Sequence, residues 1–388
     1  MRDRSRGDRN KRRCRRRRRS PSASAVKWAD LLEPLLLSVL DRLPSLRDRF
    51  AVASVCRTWR AVSRPSLSSA TGSCPPLLFR PFVGPFHRRS RRCHQISPRR
   101  CDLVCPAAPF APSRSMVSSG TLNLFLLGSS YGHLIFCEHR RAILADIFTG
   151  DELRTPDLPS DGWRFHYGAL TGSLSSPGSS LLLSANGNLL RWRIGDSKWE
   201  GCSFTPLDVH MERVVAFKDH IFALDSAERL HVLQFSPYFS IKQMAVQWAG
   251  GSISSAMNFG FTQQLVECGG ELMLVQVVPA GQIMHLKFEV YRLDLSGQPT
   301  WVKVESLGDW ALFIEESGRC PASCVSPGRW GGRSNCIYYS GHGRGGWHVF
   351  SLDNTAIDTT DPESPLYFEN QCISMWPSPI WVYPSMLY

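Results

Sequence analysis

The stretch WADLLEPLLLSVLDRLPSLRDRFAVASVCRTWRAV, residues 28–62, decides how this chain is interpreted. Large apolar residues recur between positions 35 and 43 at the spacing of one helical stripe. Pro34 suits the first turn of that helix, and Pro44 ends it. Two further short helices are predicted after it. So small a unit cannot bury this many large side chains by itself, so the sequence predicts a partner surface for it.

The second and third helices have their own sequence signals. Ser45 and Asp48 have the spacing of a capping box at the start of the second helix. Its apolar positions run from Phe50 to Val55, and Trp59 belongs to the third helix, 56–62. One interpretation of the three helices is a docking unit. The alternative is a helical core that caps a larger domain.

The order of motifs in this unit resembles an F-box. The Leu-rich helix leads into Leu43-Pro44-Ser45-Leu46, and the more specific motif, Val55-Cys56-Arg57-Thr58-Trp59-Arg60, follows. The family pattern opens with Leu-Pro, whereas this chain has Leu31-Leu32. The resemblance implies three helices that bind the SKP adaptor of cullin–RING ubiquitin ligases. The adaptor-binding residues it implies are Leu31, Leu35, Leu36, Val39, Leu40, Leu43, Pro44, Val55, Cys56 and Trp59.

The formal net charge of +12 comes from two short segments of the 388-residue chain. Residues 1–19 carry +10 and residues 86–101 carry +6, which leaves −4 for everything else. Residues 1–27 are of low complexity and predict a disordered basic tail. The tail is a nuclear-import candidate, a nucleic-acid-binding segment or a solvated tail without a role. The import residues would be Lys11, Arg12, Arg13, Arg15, Arg16, Arg17, Arg18 and Arg19.

Residues 67–119 follow the helical unit, which we place at 28–66, and they predict an irregular linker because Pro, Ser, Arg and Cys replace any periodic pattern. Only Leu77, Leu78 and Phe79 indicate the start of a strand. Cys93, His94, Cys101 and Cys105 do not have the paired spacing of zinc ligands, so no metal site is expected. The thirteen Cys are scattered, which favours free thiols in a reducing compartment.

From residue 120 to residue 388 the sequence changes to short apolar runs separated by Gly, Asn, Asp, Ser and Pro, which predicts an all-β domain. The predicted strands are Leu122–Leu127, His133–Glu138, Ala142–Ile147, Ser180–Ser184, Leu189–Ile194, Arg213–Phe217, Ile221–Asp225, Leu230–Phe235, Leu265–Glu267, Glu271–Val278, Leu286–Leu295, Trp301–Glu305, Cys336–Ser340, Trp347–Leu352 and a last run at Val382 and Tyr383. A two-sheet sandwich would need fewer strands than this.

A weak repeat runs through the same region: an apolar strand that ends in Asp, often followed by a turn and Trp. Its instances are Trp192 to Trp199, Phe222 to Asp225, Tyr291 to Trp301 and Phe350 to Asp353. Units of this kind are typical of propeller blades of about 45 residues, so we expect five or six blades. Residues 160–179, 250–262 and 316–335 are predicted loops and candidate recognition surfaces.

This half resembles the plant F-box proteins with a C-terminal kelch-like propeller of the KIB type. The matching stretches include Gly128 to Leu134, GDSKWEGC from Gly195, Leu265 to Leu272 and Pro379 to Leu387. The most specific match is VESLGDWALFI, which ends at Ile314. The chain departs from the family over residues 80–118, where the first blade would normally begin. A propeller that lacks a strand there would keep an exposed edge.

Enzyme chemistry is not predicted for this chain. The glycine-rich run from Gly341 to Gly346 lacks the Lys-Ser/Thr of a phosphate loop and lies between two predicted strands. No Cys or His has the neighbours of a catalytic pair or a metal site, so no cofactor is expected. No apolar run is long enough to span a membrane.

The sequence therefore predicts a multidomain protein: a disordered basic tail, a small all-α F-box and an all-β propeller-like domain. The predicted function is a non-catalytic substrate receptor of an SKP–cullin–RING ubiquitin ligase in the nucleus, the cytoplasm or both. The expected partners are the adaptor and a protein substrate. The alternative is a nuclear nucleic-acid-binding or scaffold protein that uses its Arg-rich tail, and a third class is a ligand-binding or sugar-modifying propeller enzyme.

Overall fold

The architecture combines a small helical unit with a ring of β-sheets. The computed structural model describes residues 28, 31–43, 46–63, 75–81, 101–159, 163–204, 207–249, 262–280, 285–320, 323–341, 347–353, 357–358 and 379–383. The basic tail, Pro44 and Ser45 lie outside the described residues, so the predicted import signal, helix stop and capping box do too. Within the described residues, no helix is long and apolar enough to cross a membrane.

Three short helices form the helical unit: α1, Glu33–Arg42; α2, Leu46–Ser54; and α3, residues 57–63. Pro34 lies in the first turn of α1, as predicted, where its missing N–H removes no helical hydrogen bond. The backbone N–H of Trp59 donates to Cys56 Sγ at 3.4 Å, so the thiol satisfies one of the free donors at the start of α3. Leu36, Leu40 and Trp59 make up the buried core.

Six sheets of four or five strands follow, and they form a six-bladed β-propeller. The first blade combines three strands that follow the helices with one from the far end of the chain. In spatial order its strands are β26, Ile380–Val382; β1, Leu77–Pro81; β2, Cys101–Cys105; and β3, Ala108–Arg114.

Blades 2, 3 and 4 each use four consecutive antiparallel strands. Blade 2 contains β4, Phe125–Ser130; β5, His133–Glu138; β6, Arg141–Asp146; and β7, Glu152–Arg154. Blade 3 contains β8, Phe165–Leu170; β9, Ser180–Ala185; β10, Asn188–Arg193; and β11, Glu200–Ser203. Blade 4 contains β12, Met211–Phe217; β13, His220–Asp225; β14, Leu230–Gln234; and β15, Ser240–Gln243.

Blades 5 and 6 have five strands each, and each includes one parallel pair. Blade 5 contains β16, Gln247–Trp248; β17, Thr262–Cys268; β18, Glu271–Ala280; β19, His285–Asp294; and β20, Thr300–Val304. Blade 6 contains β21, Ala311–Glu315; β22, Ser323–Val325; β23, Cys336–Ser340; β24, Trp347–Ser351; and β25, Ile357–Asp358.

The irregular linker predicted over residues 67–119 is wrong for β2 and β3, whereas the strand start indicated at Leu77, Leu78 and Phe79 is confirmed by β1. The ring closes through β1 and β26, whose antiparallel register pairs Leu77 with Val382 and Phe79 with Ile380. This pairing removes the exposed edge that the unusual 80–118 sequence suggested. Two predicted loops also need correction: 160–179 contains β8, and 316–335 contains β22. Residues 250–261 lie outside the described residues.

The core of the propeller lies between the blades. Six hydrophobic clusters of buried side chains each join one blade to its neighbour. Successive residues of β1 show how this works: Leu77 and Phe79 pack towards blade 2, whereas Leu78 packs towards blade 6. Because side chains alternate across a strand, such a strand is apolar on both faces.

The repeat identified in the sequence corresponds, along the chain, to the last strand but one of a blade in three of its four instances, β10, β19 and β24. The instance that ends at Asp225 lies on β13, a second strand. At Asp225 the carboxylate accepts the backbone N–H groups of Ala227 and Arg229, both at 2.9 Å, and Asp294 accepts that of Ser296 at 2.9 Å. These Asp residues therefore recur because their side chains fix the turn to the next strand.

Candidate functional site

Nine of the ten predicted adaptor-binding residues are described, and they fall into three groups. Leu36, Leu40 and Trp59 form the interior of the helical unit. Leu35, Val39 and Val55 are exposed, while Leu31, Leu43 and Cys56 are half-buried. Pro44 lies outside the described residues. The buried group holds the unit together, and only the exposed and half-buried groups have surface left for a partner.

The exposed large apolar side chains at α1 form one face. Leu35 and Val39 are four residues apart on α1, which places them side by side, and Leu32 is the extended residue that immediately precedes the helix. Their exposed fractions are 69%, 53% and 42%. Leu32 stands where the F-box pattern has Pro, and it adds to this face. Exposure of so many adjacent large apolar side chains on a unit of this size is typical of an interaction site.

The cysteines are distributed through the sheets. Cys101 and Cys105 lie on β2, and burial raises the pKa of the Cys101 thiol, so this side chain stays protonated and packs as an apolar residue. Cys93 and His94 lie outside the described residues. The prediction of free thiols is confirmed for Cys56, Cys101, Cys105, Cys137, Cys202, Cys320 and Cys336. It is wrong for Cys268, which is disulfide-bonded.

The propeller has a second notable region at its centre, where a turn from Glu315 to Cys320 crosses between blades. β4, β8, β12 and β17 lie at the inner edges of blades 2, 3, 4 and 5, and we call them the inner strands. They contact one another in that order around the axis of the ring. The side chain of Gln264 on β17 donates to the Glu315 carbonyl oxygen, and Arg319 Nη1 donates to the Leu126 carbonyl oxygen on β4 at 3.1 Å. The turn therefore links strands on two sides of the ring.

A buried carboxyl group anchors this turn. Glu315 accepts hydrogen bonds from the Ser317 backbone N–H at 2.6 Å, the Ser317 hydroxyl at 3.0 Å and the Cys320 backbone N–H at 3.1 Å. Burial raises the pKa of Glu315, and these hydrogen bonds and the charge of Arg213 act against that rise. Burial also lowers the pKa of Arg213, whose guanidinium occupies the position that a Cβ on Gly318 would take. Gly318 (φ +64°) is therefore required there.

A group of aromatic and basic side chains lies where the inner strands β4, β8 and β12 begin. We call this group the inner rim. It consists of Phe125, Arg164, His166, His210 and Arg319. Phe125 begins β4, His166 is the second residue of β8, and His210 precedes β12. The rings of His166 and His210 stack with centroids 4.2 Å apart, and the Arg319 guanidinium carbon lies 4.9 Å from the centre of the Phe125 ring.

The charged groups near His166 in the inner rim are mostly positive. Burial lowers the pKa of His166, and His210, Arg164 and Arg319 lower it further, while a hydrogen bond with Asn186 opposes them. Burial also lowers the pKa of His210, and the charge of Arg213 adds to this. His210 Nε2 lies 3.0 Å from Glu212 Oε1, and Glu212 also pairs with Arg213. The carboxylate of Glu212 is thus paired with His210 and Arg213. In contrast, Arg164 and Arg319 form no ion pair with the described residues.

The sequence analysis indicated this region in part. Two predicted recognition segments, 160–179 and 316–335, contain Arg164, His166 and Arg319. The stacking of His166 on His210 was missed, because these residues are 44 positions apart and belong to different blades. No local pattern reports such a contact, and only the order of the blades brings the two rings together.

Comparison with known proteins agrees with this architecture. The family model described as KIB1-4 beta-propeller matches residues 112–359. "Putative F-box protein At4g17565" of Arabidopsis thaliana is 23% identical over 387 residues, covering 93% of each chain. "Putative F-box protein At1g65770" of the same plant is 25% identical, covering 86% of this chain and 94% of the relative.

A solved structure, the Pan2 WD40 domain of Neurospora crassa, aligns with 66% of this chain and 70% of its own. The sequence identity is 11% and the TM-score is 0.33, too low to support a conclusion. The family match spans more than half of this chain, and it covers blades 2 to 6 of the ring. The chain belongs to the KIB1-4 beta-propeller family.

Proposed function

We propose that this chain is the non-catalytic substrate receptor of an SKP–cullin–RING ubiquitin ligase. The apolar face of Leu32, Leu35 and Val39 carries this proposal, since it would be covered by the adaptor. The two Arabidopsis relatives, which align with this chain over nearly their whole length, are named F-box proteins. This supports an F-box role for the helical unit. The propeller would hold the substrate protein, and the complex would act in the nucleus, the cytoplasm or both.

The mechanism of such a receptor is proximity. A substrate lysine held near a ubiquitin-charged enzyme reacts at a raised effective concentration. No catalytic side chain is needed from this chain, and within the described residues no group of three or more His, Cys, Asp or Glu side chains is placed to hold a metal ion. The receptor would contribute two binding surfaces at a fixed spacing.

The exposed face gives a sharp test of adaptor binding. Burial of one large apolar side chain is worth about 1.5–3 kcal/mol, so Leu35→Ala combined with Val39→Ala should cost about 3 kcal/mol or more. That loss weakens binding by more than about a hundredfold. The measurement is isothermal titration of the purified full chain with a plant SKP-type adaptor. Both residues are exposed, so the double variant should remain folded.

The control is Asp41→Ala, an exposed residue of α1 that lies outside the apolar face. It should bind the adaptor like the unaltered chain. Trp59→Ala is a poor test, because Trp59 belongs to the core of the unit and its loss would unfold the helices. Unchanged adaptor affinity in the Leu35→Ala, Val39→Ala double variant would overturn the proposed function.

A further inference from the structure

The inner rim has the properties of a binding site for a negatively charged group. Arg319 is held in place from two sides: its Nη1 donates to the Leu126 carbonyl oxygen, and its guanidinium lies over Phe125. Arginine has five N–H donors in a fixed planar arrangement, so donors remain for a ligand. Because the side chain is already ordered, binding a ligand would cost little conformational entropy.

The second cation of the rim, Arg164, is exposed and forms no hydrogen bond or ion pair with the described part of the chain. Glu212, which contacts the rim at His210, also pairs with Arg213 outside the rim. Neither guanidinium forms an ion pair with the described residues, and both lie close enough to the stacked imidazoles to act on the charge of His166.

We propose that the inner rim, formed by Phe125, Arg164, His166, His210 and Arg319, binds an anionic side chain in a peptide segment of the substrate protein. That the peptide comes from a ubiquitination substrate rests on the proposed function. The anion is a carboxylate or a phosphorylated side chain, since both accept the paired N–H donors of a guanidinium. Phe125 and the stacked imidazoles offer flat surfaces beside the charge for the neighbouring parts of the peptide.

A peptide fits this site better than a nucleic acid. Outside residues 1–19 and 86–101 the chain carries a net charge of −4. A polyanionic backbone needs several cations along its path, whereas the rim provides two free guanidiniums on an acidic body. One or two negative side chains match that local charge.

The test uses the full chain and fluorescein-labelled peptides in fluorescence polarisation. One probe has two adjacent Glu residues, the second has Gln at both positions, and the third has phosphoserine there. We expect the Glu or the phosphoserine probe to bind at least about tenfold tighter than the Gln probe, since hydrogen bonds between a guanidinium and a charged acceptor are stronger than those to a neutral one. Tight binding of the phosphoserine probe alone identifies phosphate as the anion, and tight binding of both shows that a carboxylate suffices.

Arg164→Gln and Arg319→Gln should each weaken the charged probe about tenfold. Arg193→Gln, which removes the same charge from an exposed position on β10, should leave binding unchanged. Arg319→Lys keeps the charge and should retain part of the affinity, and thermal unfolding of each variant shows that the ring is intact. Equal binding of the Glu, phosphoserine and Gln probes would overturn the proposal, as would rim variants that behave like Arg193→Gln.

A labelled single-stranded RNA that binds tighter than every peptide, and loses that advantage in Arg319→Gln, would also overturn it. The adaptor titration separates this proposal from the proposed function. Arg319→Gln should keep adaptor binding, and the Leu35→Ala, Val39→Ala double variant should keep peptide binding. A chain that binds the charged probe but never the adaptor would contradict the proposed function alone.

Discussion

The helical unit and the propeller treat their large apolar side chains in opposite ways. The helical unit buries Leu36, Leu40 and Trp59 and leaves Leu32 and Leu35 largely exposed. In the described part of the propeller, most large apolar side chains pack into clusters between neighbouring blades. The propeller is thus complete as a fold, whereas the helical unit retains apolar surface that a partner would cover.

The largest expected effect on the stability of the propeller comes from opening the ring. Trp381 on β26 donates its Nε1–H to the Ile314 carbonyl oxygen at 3.1 Å and lies edge-on to Phe313, with ring centroids 4.9 Å apart. Trp381→Ala should lower the free energy of unfolding of the propeller by about 3–5 kcal/mol. Urea unfolding followed by far-ultraviolet circular dichroism measures this, because most of the described secondary structure is β-sheet.

Trp310→Ala is the matched control, since 38% of this side chain is exposed. We expect it to cost at most about 1 kcal/mol. An equal loss in the two variants would show that the stability of the ring does not depend on the pairing of β26 with β1.

The same comparison can be made inside α1. Leu40 is fully buried and Leu35 is 53% exposed, on the same helix. Leu40→Ala should destabilise the helical unit by about 2–5 kcal/mol, whereas Leu35→Ala should change its stability by about 0.5 kcal/mol or less. Hydrogen exchange of the amides of residues 33–42 measures the stability of the unit separately from that of the propeller. Similar exchange rates in the two variants would contradict the division into core and docking residues.

The sequence predicted the middle strands of most blades because they are continuous apolar runs bounded by turn residues. His133–Glu138 and Cys336–Ser340 were predicted with the bounds that the structure gives them. In the first blade, β2 and β3 were missed because they contain Asp, Ala and Pro, residues that are depleted in strands. Their pairing depends on β1, and the pairing of β1 depends on β26, about 300 residues away. Local pattern carries no information about such closure.

The candidate site was predicted in part for a similar reason. The i, i+3, i+4 spacing in α1 identified the apolar residues, but it did not say which of them the rest of the unit would cover. That depends on Trp59 of α3, which packs with Leu36 and Leu40. Likewise, the pairing of Arg213 with the Glu315 turn requires the order of the blades around the axis. Both features are tertiary, and residue spacing alone does not determine them.

The smallest expected effect is the dependence of stability on pH, for which the carboxylates of the helical unit are compared with a buried carboxylate of the propeller. The described carboxylates of the helical unit are exposed, whereas the side chain of Asp225 in the propeller is fully buried. Burial alone would raise the pKa of Asp225, but hydrogen bonds from His231 Nε2 at 2.9 Å and from the backbone and side chain of Arg229 outweigh it, so the pKa is lowered. A lowered pKa in the folded state means that the carboxylate stabilises the fold at neutral pH.

This stabilisation is complete above the unfolded pKa of about 3.9, and it is lost as the pH falls through the lower folded value. Asp225→Asn should therefore lower the free energy of unfolding by about 1–2 kcal/mol at pH 7, and the difference from the unaltered chain should shrink below about pH 4. Urea unfolding between pH 7 and pH 3 tests this, with the exposed Asp219→Asn as control. Glu315, whose pKa is raised, changes the pH dependence of stability in the opposite direction. Because it does so both in the unaltered chain and in Asp225→Asn, the difference between these two isolates the effect of Asp225. A difference that stays constant across this pH range would show that Asp225 acts through packing instead of charge.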